Sequence, residues 1–168
     1  MTATMIPVLA FAFLMTLAAL KDAMSFTIPN WLSGAVALVF PLAAALMGIG
    51  WAEFGLHLAV GVGALVLGMA LYAPGWIGGG DAKLIAAAAL WFGWPDAVIF
   101  LGKSALMGGA LAVTLLMLRR IVPATRLSAG WVARTPLAEG APAPYGIALA
   151  AGALWTLPGS ALLTTVGL

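Results

Sequence analysis

Two aspartates are the residues of this chain whose type and position could do chemistry. Asp22 follows the first long apolar run, and Asp81 directly precedes the fourth. Two facing carboxyl groups cannot both ionise cheaply, so they share one proton. The ionised group then activates a water as general base, and the protonated group donates to the carbonyl of a peptide bond. The chain has 0 Cys and 1 His, so this is among the few hydrolytic mechanisms open to it.

The residues before Asp81 also suit a peptide ligand. Three glycines, Gly78 to Gly80, precede it directly. Glycine has no Cβ, so another backbone can approach closely and form main-chain hydrogen bonds. Taken singly, each aspartate also has a structural explanation, Asp81 as the N-cap of a helix and Asp22 as a loop charge beside Lys21.

The composition places these aspartates in a membrane protein. Of the 168 residues, 64% are hydrophobic and 7% are charged, and the mean hydropathy is +1.15. A soluble domain is about half apolar and about a quarter charged. The chain therefore cannot cover a core with polar surface, which excludes a cytosolic enzyme, a secreted scaffold and a nucleic-acid-binding domain. Lipid admits only helices and closed barrels, and the long unbroken apolar runs favour helices.

The apolar runs predict an all-α integral membrane protein, a bundle of six transmembrane helices in a single domain covering 1–168. A span needs about 20 apolar residues, so the fourth run is short. The predicted spans cover about 4–20, 31–50, 55–73, 82–94, 97–118 and 145–166.

The charged residues orient this bundle. Six helices place nearly all basic residues on one side, and only Lys103 lies near the other. By the positive-inside rule the basic side is cytoplasmic, with both termini outside and the loop 119–144 inside. Both aspartates then face the cytoplasm. The basic residues on that side are Lys21, Lys83, Arg119, Arg120, Arg126 and Arg134.

The other polar and aromatic residues have structural explanations. We expect His57 to form a hydrogen bond between helices, and Asp96 to cap the fifth helix. Lys103 should extend to the outer interface or pair with Asp96 or Glu53. The tryptophans fit two interfacial belts, with Trp31, Trp76 and Trp131 on the cytoplasmic side and Trp51, Trp91 and Trp94 on the other.

Three segments of the chain resemble the prepilin peptidases, which are GxGD intramembrane aspartic proteases. Residues 22–30 (DAMSFTIPN) resemble their first catalytic segment, an Asp followed by an Ile-Pro-Asn turn. Residues 78–84 (GGGDAKL) resemble their Gly-x-Gly-Asp-x-Lys-Leu signature. Residues 144–148 (PYGIA) resemble the Pro-Tyr-Gly turn that opens their last helix. The segments occur in the family's order and cover most of the chain.

The resemblance implies roles for seven residues. Asp22 and Asp81 would be the catalytic pair, and which of them is the base stays open because such a pair titrates as a unit. Gly78 and Gly80 would shape the loop. The residues that would support the site are Pro29, Asn30 and Lys83. Lys83 has two open explanations, since it could extend to the interface or could hold a nearby carboxylate ionised.

The resemblance also implies a substrate. Prepilin peptidases cut the basic leader from pilin precursors at the cytoplasmic face of the bacterial inner membrane, where the leader meets the apolar helix. Longer members carry a cysteine-rich zinc domain and also N-methylate the pilin. This chain has 0 Cys and resembles the short, peptidase-only branch associated with Flp (Tad, type IVb) pili. We expect no cofactor, no zinc and no methylation, and we expect the arginines to contact anionic lipid.

Two other functions stay open at this point. One is a GxGD protease that acts on different membrane peptides, against which the Ile-Pro-Asn segment argues. The other is a small transporter or assembly subunit whose acids bind ions. Transport sites lie near the midplane at broken helices, whereas both aspartates here lie near one face.

Overall fold

The computed structural model describes residues 4–121, 135–138 and 141–164, which are helical with short connections and contain no strand. Each helix coincides with an apolar run, as expected where lipid leaves the backbone no other partners. The chain forms α1 (Met5–Ser25), α2 (Asn30–Met47), α3 (Trp51–Tyr72), α4 (Gly79–Ile121), α5 (Tyr145–Thr156), a 3₁₀ turn (Leu157–Gly159) and α6 (Ala161–Thr164).

Five helices within the described part of the chain are long and apolar enough to cross a membrane. The all-α, multi-pass architecture is therefore confirmed, whereas the count of six spans is not. The difference arises because the predicted fourth and fifth spans belong to one 43-residue element, α4. Most of the predicted loop 119–144 lies outside the described residues, as do Arg126, Arg134 and Trp131.

α4 is broken near its middle. Gly93 (φ 59°, ψ −164°) and Trp94 (φ −98°, ψ 136°) leave the helical conformation. A straight helix of this length would reach about 65 Å, twice the hydrocarbon thickness of about 30 Å. Past the break, Phe100 stacks on Phe92 with 5.1 Å between ring centroids, and Leu101 lines a cavity together with Ile85. The first arm (79–92) and the second arm (95–121) therefore lie side by side.

The first arm is the centre of the bundle. Its four consecutive alanines, Ala86 to Ala89, are buried, as their small size predicts. On α3, a Cβ at Gly68 would lie 3.0 Å from the Cβ of Ala82, so the two helices touch closely. Trp91 is only 1% exposed, and its indole N–H donates to the Val36 carbonyl at 2.9 Å. The prediction that Trp91 belongs to an interfacial belt is therefore wrong.

Three polar side chains join helices to one another. His57 and the Leu90 carbonyl form the expected interhelical hydrogen bond, with 2.6 Å between Nδ1 and O. Lys103 donates to the Trp155 carbonyl at 3.1 Å and lies 5.2 Å from the centre of that indole, so of its two predicted alternatives the pairing with Asp96 or Glu53 is not the one formed. Asp96 accepts from the Ala161 N–H at 2.6 Å and caps α6 rather than the helix that follows it in sequence.

Gly93→Ala should lower the free energy of unfolding by about 2–3 kcal/mol. The combination of positive φ and extended ψ is essentially restricted to glycine and costs about 1–3 kcal/mol for a residue with a Cβ. That Cβ would also lie 2.7–3.0 Å from the His57 ring, whose hydrogen bond is worth about 0.5–1.5 kcal/mol. Denaturant titration in detergent micelles measures the change. Gly102→Ala is the control, because that helical glycine has open space and alanine there should stabilise; equal stability of the two variants would contradict this account.

Candidate active site

Asp22 lies in the last turn of α1 rather than beyond the helix, and it is only 5% exposed. Phe26 is the C-cap residue of α1; its φ of 52° is left-handed, and its N–H donates to the Asp22 carbonyl. The Asp22 carboxylate accepts a hydrogen bond of 2.6 Å from the Gly146 N–H, in the first turn of α5. The first N–H groups of a helix lack partners and favour an anion, so α5 holds this carboxylate with its N-terminus.

Asp81 lies in the first turn of α4 rather than before it. Its carboxylate accepts a hydrogen bond from the Gly78 backbone. A Cβ at Gly80 would lie 3.1–3.4 Å from Ile28 atoms, including that residue's backbone. The absence of a Cβ therefore lets the glycine loop pack against the segment that links α1 to α2, and this contact brings Asp81 toward Asp22.

The two aspartates form one electrostatic unit. Asp81 is close enough to Asp22 for the two charges to interact. Three helix ends meet at this point, the last turn of α1 and the first turns of α4 and α5. A buried carboxyl beside a second carboxyl is the arrangement in which one proton is shared. Such a pair can supply a general base and a general acid to one substrate.

Lys83 and Asn30 lie beside this unit. The Lys83 ammonium donates to the Asn30 side-chain oxygen at 2.8 Å, and both residues are exposed. Two residues apart on a helix, Lys83 and Asp81 face nearly opposite directions. Pro29 is the N-cap residue of α2, and its carbonyl accepts the Leu32 N–H at 3.0 Å. These residues attach the start of α2 to α4, next to the glycine loop.

Other potentially reactive groups lie elsewhere. His57 contacts Leu90 and the Gly93 region, near the far end of the first arm from Asp81. In the described ranges, no three His, Asp or Glu side chains lie close enough together to hold a metal ion. The chemistry that the site offers is that of two carboxyl groups, surrounded by backbone N–H donors.

Gly146 is the site residue that the sequence-based assignment of roles omitted. A Cβ there would lie 2.8–3.1 Å from three Asp22 side-chain atoms, so glycine is needed for this contact. The signal in the sequence was the Pro144-Tyr145-Gly146 turn itself. Its meeting with Asp22 follows only from the packing of α5 against α1.

The fold and the site together define a class, a multi-pass all-helical membrane protein with a carboxylate pair at the meeting point of three helix ends. The model of the type IV leader peptidase family matches residues 9–113, and the chain belongs to this family of peptidases. The family prediction from the three segments is confirmed. The match contains both aspartates and the glycine loop and ends before α5. No curated protein and no solved structure matches the chain.

Proposed function

We propose that the chain is an aspartic endopeptidase that uses Asp22 and Asp81 to remove the basic leader from Flp-type prepilins. The observation that carries this proposal is that the buried Asp22 carboxyl lies close enough to Asp81 for its charge to act on that residue, in a chain of the leader peptidase family. Cleavage takes place at the cytoplasmic face of the inner membrane, and the enzyme does not methylate the product.

The site contributes to the reaction in four ways. The aspartate pair holds one proton, so one carboxyl activates water while the other donates to the scissile carbonyl. The Gly146 N–H orients Asp22, and the Gly78 backbone orients Asp81. Gly78 and Gly80 leave room for an extended peptide to lie beside Asp81. Lys83, Asn30 and Pro29 position the start of α2, next to the linking segment at Ile28 on which the glycine loop packs.

The charges support a cytoplasmic site. Lys21 and Lys83 neighbour the aspartates in sequence, and Arg119 and Arg120 end α4. The Arg119 guanidinium donates to the carbonyls of Pro136 (2.6 and 3.0 Å) and Ala141 (2.8 Å), so it organises the polypeptide that leads to α5. Basic residues collect on the cytoplasmic side of a membrane protein. The leader is basic as well, so long-range attraction does not recruit it; the positive face serves topology and anionic lipid.

A cleavage assay with purified enzyme in liposomes tests the proposal. The enzyme is incubated with a Flp-type prepilin or an unrelated signal peptide, in the presence of S-adenosylmethionine as methyl donor. Mass spectrometry should find the prepilin cut at the junction of leader and apolar helix, with no added methyl group and no cut in the signal peptide. Cleavage of the signal peptide alone would favour a different GxGD protease. Absence of any cleavage by inserted enzyme would favour a transporter or assembly subunit.

A further inference from the structure

A cavity of about 360 Å³ lies between the two arms of α4 and the start of α5. We call it the lateral groove. Ile77 and Ile85 line it from the side of the first arm, Ser104 and Gly109 from the second arm, and Tyr145 from α5. Apart from Ser104 and the Tyr145 hydroxyl, these side chains are apolar or absent.

The lateral groove adjoins both aspartates. Ile77 directly precedes Gly78, whose backbone binds Asp81, and Ile85 lies one helical turn after Asp81 on the same face. Tyr145 directly precedes Gly146, whose N–H binds Asp22. A polypeptide whose scissile bond lies between the carboxyl groups can therefore continue directly into this groove.

The groove also opens toward the bilayer. Ala105 and Gly109 line it and are exposed, and a Cβ at Gly109 would meet no atom within 4 Å. Behind them Gly108 packs on α5, where a Cβ would lie 3.5–3.6 Å from Tyr145 and Ala148 atoms. Small residues on a lipid-facing helix allow a second helix to approach closely. A helix that already lies in the membrane can enter here from the side.

Ser104 marks the inner wall of the groove, where the second arm packs on α5. It is 6% exposed, and a Cβ at Gly152 would lie 2.7 Å from the Ser104 backbone. Gly152 is six residues beyond Gly146, which places this contact about 9 Å along α5 from the N–H that binds Asp22. The groove therefore runs along the membrane-spanning part of α5 and begins at the aspartates, as a binding site for the helix next to the scissile bond must.

We propose that the lateral groove binds the apolar helix that follows the scissile bond of the substrate, over about its first six residues. The proposal rests on the proposed function and identifies the part of the substrate that the enzyme recognises. The leader lies on the other side of the aspartates, outside the groove. Recognition of the apolar helix explains how an enzyme with a basic face selects a substrate with a basic leader.

The test fills the groove without disturbing the bundle. Gly109→Leu and Ala105→Leu place side chains in it, and Gly102→Leu is the control, an exposed glycine of the same arm with open space and no place in the lining. Each enzyme in liposomes receives a full-length Flp-type prepilin and a short peptide that ends two residues after the scissile bond. Gly109→Leu and Ala105→Leu should lower kcat/KM for the prepilin at least tenfold and leave that for the short peptide unchanged. Gly102→Leu should match the parent enzyme on both.

The outcomes separate this proposal from the one on which it rests. Unchanged prepilin cleavage by Gly109→Leu and Ala105→Leu overturns the groove assignment and leaves the peptidase function standing. Equal decreases in kcat/KM for the prepilin and the short peptide, in both variants, also overturn the groove assignment. The substitutions would then impair the enzyme independently of the apolar helix, which the short peptide lacks. If the parent enzyme cuts no prepilin, the proposed function fails and the groove assignment fails with it.

Discussion

Asp22→Asn and Asp81→Asn should each lower prepilin cleavage by about 10²–10⁴-fold or more while the protein still inserts in the membrane. Asparagine keeps the size of the side chain but can neither take up a proton as a base nor donate one from a carboxyl group. General acid–base catalysis contributes about that factor. The remaining carboxyl also loses the neighbour with which it shares a proton. Quantitative cleavage assays in liposomes, at matched protein levels, measure the effect.

Asp96→Asn is the matched control for both changes. Asp96 is also a buried aspartate, but its carboxylate accepts the Ala161 N–H at the start of α6, a role that an amide oxygen can take over. It should retain nearly full activity. The double variant Asp22→Asn/Asp81→Asn should be about as inactive as either single one, since groups that act as a unit have non-additive effects. Full cleavage by either single variant would disprove the aspartate pair.

Gly146→Ala should lower kcat/KM by about 10²-fold, the cost of displacing a reacting group by about 1 Å. The new Cβ would lie 2.8 Å from the Asp22 Cβ and 2.9 Å from Oδ2, so the carboxylate must move away from the α5 N-terminus. Both aspartates remain present, so the loss would come from position alone. The measurement is steady-state cleavage of the prepilin.

Gly63→Ala is the control for Gly146→Ala. It also replaces a helical glycine, on α3, where a Cβ would meet no atom within 4 Å. It should leave cleavage unchanged and slightly raise stability, because alanine favours helix. Normal activity of Gly146→Ala would show that the contact between Asp22 and the α5 N-terminus does not serve catalysis.

The sequence predicted the architecture because lipid leaves few choices. Long apolar runs in a membrane must be helices, and charges can only collect at their ends. The small side chains of the alanine run 86–89 allow close packing of the first arm, and all four are buried. The prediction that Asp22 and Asp81 work together came from carboxylate chemistry and the glycine loop, and the structure lets their charges interact.

Contacts between distant residues were beyond reach of the sequence. Asp22 and Gly146 are 124 residues apart, and no sequence pattern in either segment predicts that the two residues are in contact. Trp91 was misplaced because position along a helix does not tell which way an indole faces. Lys103 forms a hydrogen bond with the Trp155 carbonyl and a cation–π contact with its ring instead of pairing with an acid. In an apolar environment a lysine binds the acceptor that helix packing brings near it, and the sequence does not show which acceptor that is. The predicted count of six spans is not confirmed for a similar reason, because the chain turns at Gly93 and Trp94 and the predicted fourth and fifth spans belong to one element.

The contact between Asp22 and Gly146 has a consequence for how the protein is made. Synthesis runs from the N-terminus, so α1 carries Asp22 into the membrane long before residue 146 leaves the ribosome. Until α5 docks, that carboxylate lacks the N–H donor that orients it. A chain interrupted in α4 after Asp81 would hold both aspartates and would still lack the donor that orients Asp22. In the proposed mechanism the last long helix therefore completes the active site, and a partly synthesised chain lacks the oriented carboxylate.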